Sequence, residues 1–309
     1  MRRFCRIILG KQHAFFQECF TTGYVGLDHD IPQDLTDQLP DDWRPFNKKF
    51  IPIYLERNPE RTRIAAGLAC GNLWTVCKGL VEGDIVLCPD GTGIYQAGEV
   101  TSNYIYAPNE SLPHRRSVRW LDLSIARDAI SDDLRTSLGS AGTVVWLDER
   151  HREEIELLLE GKEAPRITTT DKSIEDPATF ALEKHLEDFL VANWNATELS
   201  DTYEIYEDDN EKLGQQYPTD TGPIDILAVS KDRKTILVIE LKRGRASDVV
   251  VGQTLRYMGF VKDELAEPDQ DVRGLVIALK DDQRLRRALT MTPAIEFKRY
   301  EVSFKLLQT

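Results

Sequence analysis

Residues Ile224-Asp225-Ile226-Leu227-Ala228-Val229, the polar stretch Ser230-Lys231-Asp232-Arg233-Lys234, and Thr235-Ile236-Leu237-Val238-Ile239-Glu240-Leu241-Lys242 decide the fold of the second half of the chain. Two apolar runs of strand length flank a segment rich in turn formers, which predicts an antiparallel hairpin over Ile224–Val229 and Thr235–Leu241. With the turn centred between Asp232 and Arg233, Asp225 stands opposite Glu240 on one face, with their Cβ atoms about 5 Å apart. Lys242 shares that face because strand side chains alternate with period two. Two carboxylates and a lysine at the ends of otherwise apolar strands make poor core. They suit a hard cation such as Mg²⁺, which prefers oxygen ligands, keeps several waters and bridges carboxylates to phosphate. Phosphodiester hydrolysis is the implied reaction. An exposed ion pair on a surface hairpin would explain the same residues on the hairpin alone.

Around the hairpin the pattern alternates between strands and helices. A helix is expected over Phe180–Asn193, strands at Thr202–Tyr206, Val272–Leu279 and Phe304–Leu307, and helices at Ser247–Glu264 and Asp281–Leu289. That is an α/β domain with a mixed sheet flanked by helices. Gln253 and Tyr257, four residues apart, fall on one face of their helix. Upstream, Gly161–Pro177 has the composition of a linker. The expected organisation is a first domain over 1–160, a linker over 161–177 and a second domain over 178–309.

The second domain resembles the PD-(D/E)xK nuclease superfamily, specifically the C-terminal nuclease domain of the NucS/EndoMS endonucleases, with Mrr-type restriction nucleases as wider kin. Four ordered motifs carry the resemblance: Leu182-Glu183-Lys184-His185-Leu186, Gly222-Pro223-Ile224-Asp225, Ile239-Glu240-Leu241-Lys242-Arg243-Gly244-Arg245-Ala246 and Gly252-Gln253-Thr254-Leu255-Arg256-Tyr257. The resemblance implies a restriction-endonuclease-like fold, with Asp225 and Glu240 as ligands for Mg²⁺ (or Mn²⁺) and Lys242 as the catalytic lysine. Glu183 then corresponds to the first-helix glutamate, with Glu187 one turn on as the competing assignment. Gln253 and Tyr257 correspond to the Q-x-x-x-Y pair. Arg243 and Arg245 adjoin this site as expected contacts to the DNA backbone.

The first domain reads as mainly β, with strands at Phe4–Leu9, Tyr24–Leu27, Asp84–Leu87, Tyr95–Val100, Ser117–Leu121 and Thr143–Leu147. One or two helices interrupt them, the clearest over Glu60–Val76, and Asp148–Glu160 closes the domain as another. The segments Gly83–Leu87, Gly98–Val100, Asn103–Tyr106 and His114–Leu121 resemble the PUA-like or EVE-like barrel modules joined to some modification-dependent restriction nucleases. That resemblance implies an aromatic pocket for a flipped base, with Tyr24, Trp74, Tyr104 and Trp120 as candidate walls. The alternative for Trp74 and Trp120 is a place in the barrel core.

Composition bounds the rest. The 309 residues carry a formal net charge of −13, so any nucleic acid is held by local cations or by metal rather than by overall charge. Five cysteines without C-x-x-C spacing fit a reducing, cytoplasmic compartment and no zinc site. The start MRRFCRIILG is broken by Lys11, Gln12 and His13 before a membrane span is complete, so no membrane partner is expected. No G-x-x-x-x-G-K-[ST] is present, which excludes a P-loop for a nucleoside triphosphate. The expected function is therefore Mg²⁺-dependent endonucleolysis of DNA by a restriction or genome-defence enzyme whose N-terminal domain reads modified bases. Mismatch- or structure-directed repair cleavage and a non-cleaving nucleic-acid binder are the alternatives. Cutting both strands with one site per chain implies a homodimer.

Overall fold

In a computed structural model of the chain, residues 2–140, 142–162, 186–208 and 213–301 are described. The chain divides into two compact units between Ile167 and Thr168. Most of the expected linker, the start of the Phe180–Asn193 helix including Glu183, and the Phe304–Leu307 strand lie outside the described residues.

The first unit is built on a seven-stranded sheet: β1 (Phe4–Ile7), β2 (Tyr24–Leu27), β3 (Ile85–Pro89), β4 (Ile94–Val100), β5 (Ile105–Tyr106), β6 (His114–Ala126) and β7 (Val144–Trp146), in the order β2-β6-β4-β3-β1-β7 with β5 on β6. All pairings are antiparallel except β1 with β3. Every predicted strand of this unit is present, and β6 runs well beyond the Ser117–Leu121 expected for it. Helices are more numerous than the one or two expected. Phe16–Thr22, Trp43–Arg57 and Asp132–Leu138 join Arg63–Trp74 and Arg152–Leu159. The Trp43–Arg57 helix starts at an Asp42 N-cap, whose carboxylate accepts from the Arg44 N–H at 3.0 Å. Pro45 lies in its first turn, where no intrahelical N–H is needed, but Pro52 lies inside it and masks the helical pattern.

The second unit carries a six-stranded mixed sheet: β8 (Tyr203–Ile205), β9 (Gln215–Tyr217), β10 (Ile224–Ser230), β11 (Thr235–Arg245), β12 (Asp271–Lys280) and β13 (Ile295–Arg299). The order is β13-β12-β11-β10-β8, with β9 also on β10. The hairpin forms as predicted: Ile226 pairs with Ile239 and Val229 with Ile236. Its turn is tied by the Ser230 hydroxyl, which donates to Asp232 Oδ1 at 2.6 Å and accepts from Thr235 N–H at 2.9 Å. β11, β12 and β13 run parallel. One face of the sheet packs Ile226, Ala228, Leu237, Ile239 and Leu241 against Val191, Trp194 and Leu199. On the other face the Asp248–Phe260 helix crosses β12 at Gly274, where a Cβ would come within 2.7 Å of Thr254 Cγ2 and 2.8 Å of Met258 Sδ. The missing side chain lets the helix lie close. Residues 261–265 continue it as a π-turn, and Gln283–Thr290 follows with Asp282 as its N-cap.

Candidate active site

Period-two alternation puts Asp225 and Glu240 on the sheet face opposite the Ile226/Ile239 core, one rung beyond the Ile226–Ile239 pair of the β10–β11 ladder. Glu240 is only 1% exposed, and Lys242 Nζ donates to its Oε1 at 2.8 Å. Asp225 Oδ2 accepts the Leu241 backbone N–H at 2.7 Å, which pins that carboxylate to the neighbouring strand. Immediately past Lys242 the pairing with β12 shifts register, a bulge before Arg245 rejoins Lys280. Bulges at such positions re-aim side chains next to functional centres.

The Asp248–Phe260 helix brings its predicted pair to the same place. Gln253 Nε2 donates to Tyr257 Oη at 3.4 Å. That hydroxyl lies against Gly222, whose φ of +122° and closeness, with a built Cβ 3.0 Å from Tyr257 Oη, both exclude a larger residue. Burial raises the Tyr257 phenol above its usual value, and the nearby carboxylates of Glu240 and Asp225 add to the effect. The phenol therefore stays protonated at neutral pH and is available as a donor.

Of the two first-helix assignments, Glu183 lies outside the described residues and Glu187 is buried in the site. Two carboxamides that the sequence analysis did not single out hold it. Gln215 Nε2 donates to Glu187 Oε1 at 2.7 Å, and Gln216 Nε2 donates to Glu187 Oε2 at 2.5 Å and to Asp225 Oδ1 at 3.4 Å. The one local signal was the short polar pair between Gly214 and Tyr217, too brief to read as a strand. Glu187, Asp225, Glu240, Lys242, Gln253 and Tyr257 thus converge. Arg245 is exposed at the rim, and of Arg243 only the backbone is described.

The donor set fits a hard divalent cation. It is oxygen-based, and it concentrates carboxylate charge around the buried Glu240, with Lys242 as the cation bonded to it. Among the described residues no group of three or more His, Cys, Asp or Glu is arranged to hold a metal ion. Mg²⁺ does not need such a group, since one or two carboxylates plus water and phosphate satisfy it. The five cysteines are all buried, and burial raises each thiol well above its ordinary value, which makes them inert core.

The aromatic candidates of the first unit are spread around one core. Tyr24 is 6% exposed, donates to Glu18 Oε1 at 2.6 Å, and lies under the Arg115 guanidinium at 3.9 Å. Its place is structural, and the expected base-facing wall is corrected there: a buried ring already covered by a cation has no room for a base. Trp74, Tyr104 and Trp120 are partly buried. Trp74 Nε1 donates to Pro40 O at 2.9 Å, and Trp120 Nε1 donates to Cys19 O at 3.2 Å with Phe16 and Phe20 beside its ring. Tyr104 Oη bonds His114 Nδ1 at 2.8 Å. No ring contact joins any two of the four among the described residues. Arg115 and Arg116 bond backbone carbonyls and Arg119 pairs with Glu99, so these three serve the fold of β6. An open cleft of about 370 Å³, lined by Asp37, Leu39, Pro40, Phe46 and Lys49 among others, lies beside the Trp74 indole.

Residues 192–306 match the family model of the Endonuclease NucS C-terminal domain, and residues 6–141 match a Domain of unknown function (DUF8426). No curated protein matches. Among solved structures, a repair endonuclease from Pyrococcus abyssi is 18% identical over 69% of this chain and 66% of its own, with a TM-score of 0.31. An EndoMS–dsDNA complex is 15% identical over 70% and 68%, TM-score 0.30. The MspJI restriction endonuclease with a 27-mer oligonucleotide is 12% identical over 90% and 67%, TM-score 0.24. The match to the Pyrococcus protein thus spans just under two thirds of its length. The second unit carries a nuclease fold, and no helix among the described residues is long and apolar enough to cross a membrane.

Proposed function

We propose that this chain is a metal-dependent DNA endonuclease whose first unit selects the substrate, with modified DNA as its target. The observation that carries the reading is the convergence of Glu187, Asp225, Glu240 and Lys242 in a unit that matches an endonuclease domain. Asp225 and Glu240 are the residues that would hold Mg²⁺ or Mn²⁺, which when bound neutralises phosphate charge and supplies a nucleophile at neutral pH. Lys242, steered by Glu240, presents a cation to the negative charge that develops on the phosphoryl oxygens. In this reading Glu187 accepts a proton and the protonated Tyr257 phenol donates a hydrogen bond. At the carboxyl ends of the parallel strands, Arg245 and Lys280 stand in register and Arg299 aligns with Ala278 beside Lys242. These cations give the flanking DNA backbone a local partner in an acidic protein.

Modified-base reading rests on the resemblance of the first unit, with Trp74, Tyr104 and Trp120 as the remaining aromatic candidates. Mismatch-directed repair is the second reading, favoured by the endonuclease match over residues 192–306. Cleavage of otherwise identical unmodified, methylated, hydroxymethylated, glucosylated and mismatched duplexes with Mg²⁺ or Mn²⁺ separates the two. Preference for a modified duplex supports the first, and preference for a mismatch supports the second. No metal-stimulated cleavage of any duplex would leave a binding protein with a nuclease fold.

A further inference from the structure

Gln216 lies on β9 between Gln215, which pairs with Ile226, and Tyr217, which pairs with Ile224; this sets it alongside Asp225. Its φ is +52°, in the left-handed region where glutamine is uncommon. A backbone held there persists when its surroundings impose it, and such residues cluster at functional sites. Here one carboxamide reaches two carboxylates from different elements: Glu187 on the helical residues 186–192 and Asp225 on β10. Gln215 completes the grip, bonding the other oxygen of Glu187 at 2.7 Å and Asp188 Oδ1 at 3.0 Å. A neutral amide orients a carboxylate without cancelling its charge, unlike the lysine that bonds Glu240. The amide thus aims the Glu187 carboxylate toward Asp225, as an outer-shell partner does at a metal site.

We propose that Gln216 is a positioning residue that holds Glu187 beside Asp225, so that the helix carboxylate acts as an outer-shell partner of the metal-holding pair on the hairpin. The role in cleavage rests on the nuclease reading above; the role in metal binding is read separately.

The test uses the full chain and Mn²⁺ alone, titrated by electron paramagnetic resonance, beside thermal melts. Gln216→Gly removes the amide but suits the positive φ, so it is expected to melt no more than about 2 °C below the parent. It is expected to bind Mn²⁺ at least about tenfold more weakly, as is common when an outer-shell partner is lost. If Gln216 acts through Glu187, combining it with Glu187→Gln costs no more affinity than Glu187→Gln alone. The proposal is overturned by parental Mn²⁺ affinity in the glycine variant, by losses that multiply in the double variant, or by a parent that binds no Mn²⁺. A large fall in melting temperature for the glycine variant also overturns it, because Gln216 would then be a clamp of the fold. A parent that binds Mn²⁺, follows this pattern and cleaves no DNA refutes the nuclease reading and leaves the assignment of Gln216 standing.

Discussion

Replacing Tyr104 with phenylalanine tests whether this ring belongs to the core or to a base pocket. Its hydroxyl sits in a directed chain. His114 Nε2 lies 2.8 Å from the Ile31 carbonyl, which only accepts, so Nε2 carries the proton and Nδ1 accepts from the phenol at 2.8 Å. The Leu35 N–H in turn donates to the phenol oxygen at 3.3 Å. His114 and Leu35 are fully buried, so Tyr104→Phe strands one acceptor and one donor away from water. Each stranded group costs about 1–3 kcal/mol, and the pair together about 2–6 kcal/mol. At about 2–4 °C per kcal/mol for a unit of this size, the expected fall in melting temperature is about 4–24 °C. Differential scanning calorimetry of the full chain reads it directly. A variant melting within about 1 °C of the parent refutes the reasoning. Substrate choice supplies the second readout: phenylalanine keeps a stacking face, so a base-reading ring retains its discrimination in Tyr104→Phe and loses it only in Tyr104→Ala.

Asp225→Asn, Glu240→Gln and Lys242→Ala are each expected to lower single-turnover cleavage by at least about a hundredfold while duplex binding, read by fluorescence anisotropy, stays near parental; full activity in one removes that residue from the mechanism. Acid is expected to weaken the first unit. Burial lowers His29 from 6.5 to about 4, and His114 and His151 move the same way. These rings stay neutral in the fold while the unfolded chain takes up protons, so the stability they contribute is complete above pH 6.5 and is lost as pH falls toward 4. For His29 this amounts to at most about 3 kcal/mol. Urea melts against pH should show the slope, and His29→Gln should flatten it; an unchanged slope assigns the loss elsewhere. A fragment beginning at Asp171 is expected to fold and cleave without preference among modified duplexes, and equal selectivity in fragment and full chain would exclude the first unit as the reader.

What the sequence made legible was what repeats with a short period or is set by neighbours along the chain. The face shared by Asp225, Glu240 and Lys242 followed from alternation and one turn, and the Gln253/Tyr257 pair from helical spacing. What escaped it depends on contacts between distant residues. Nothing local announces that Gln216 adopts a positive φ, or that its amide reaches a helix nearly thirty positions earlier. Pro52 concealed a fifteen-residue helix because its broken hydrogen bond is tolerated only within this packing. The burial of Tyr24 was equally hidden, since an aromatic on a strand reads alike whether Arg115 or a base lies on its ring. β13 was missed as well, since Ile295–Arg299 is half charged and becomes a strand through its parallel pairing with β12.

The turn that ties Ser230 to Asp232 and Thr235 lies at the opposite end of the hairpin from the carboxylates, about 20 Å away at the usual rise per strand residue. Nothing chemical happens there, yet the ladder transmits any error in its length to the far end. A single codon inserted between Lys231 and Lys234 would either be absorbed as a bulge or slide β11 by one step against β10, sending Glu240 into the oily face and an apolar neighbour into its place. Natural variation in this protein should therefore be permissive in spelling and strict in length across those four positions. A survey of tolerated insertions would find a forbidden zone far from the carboxylates it protects.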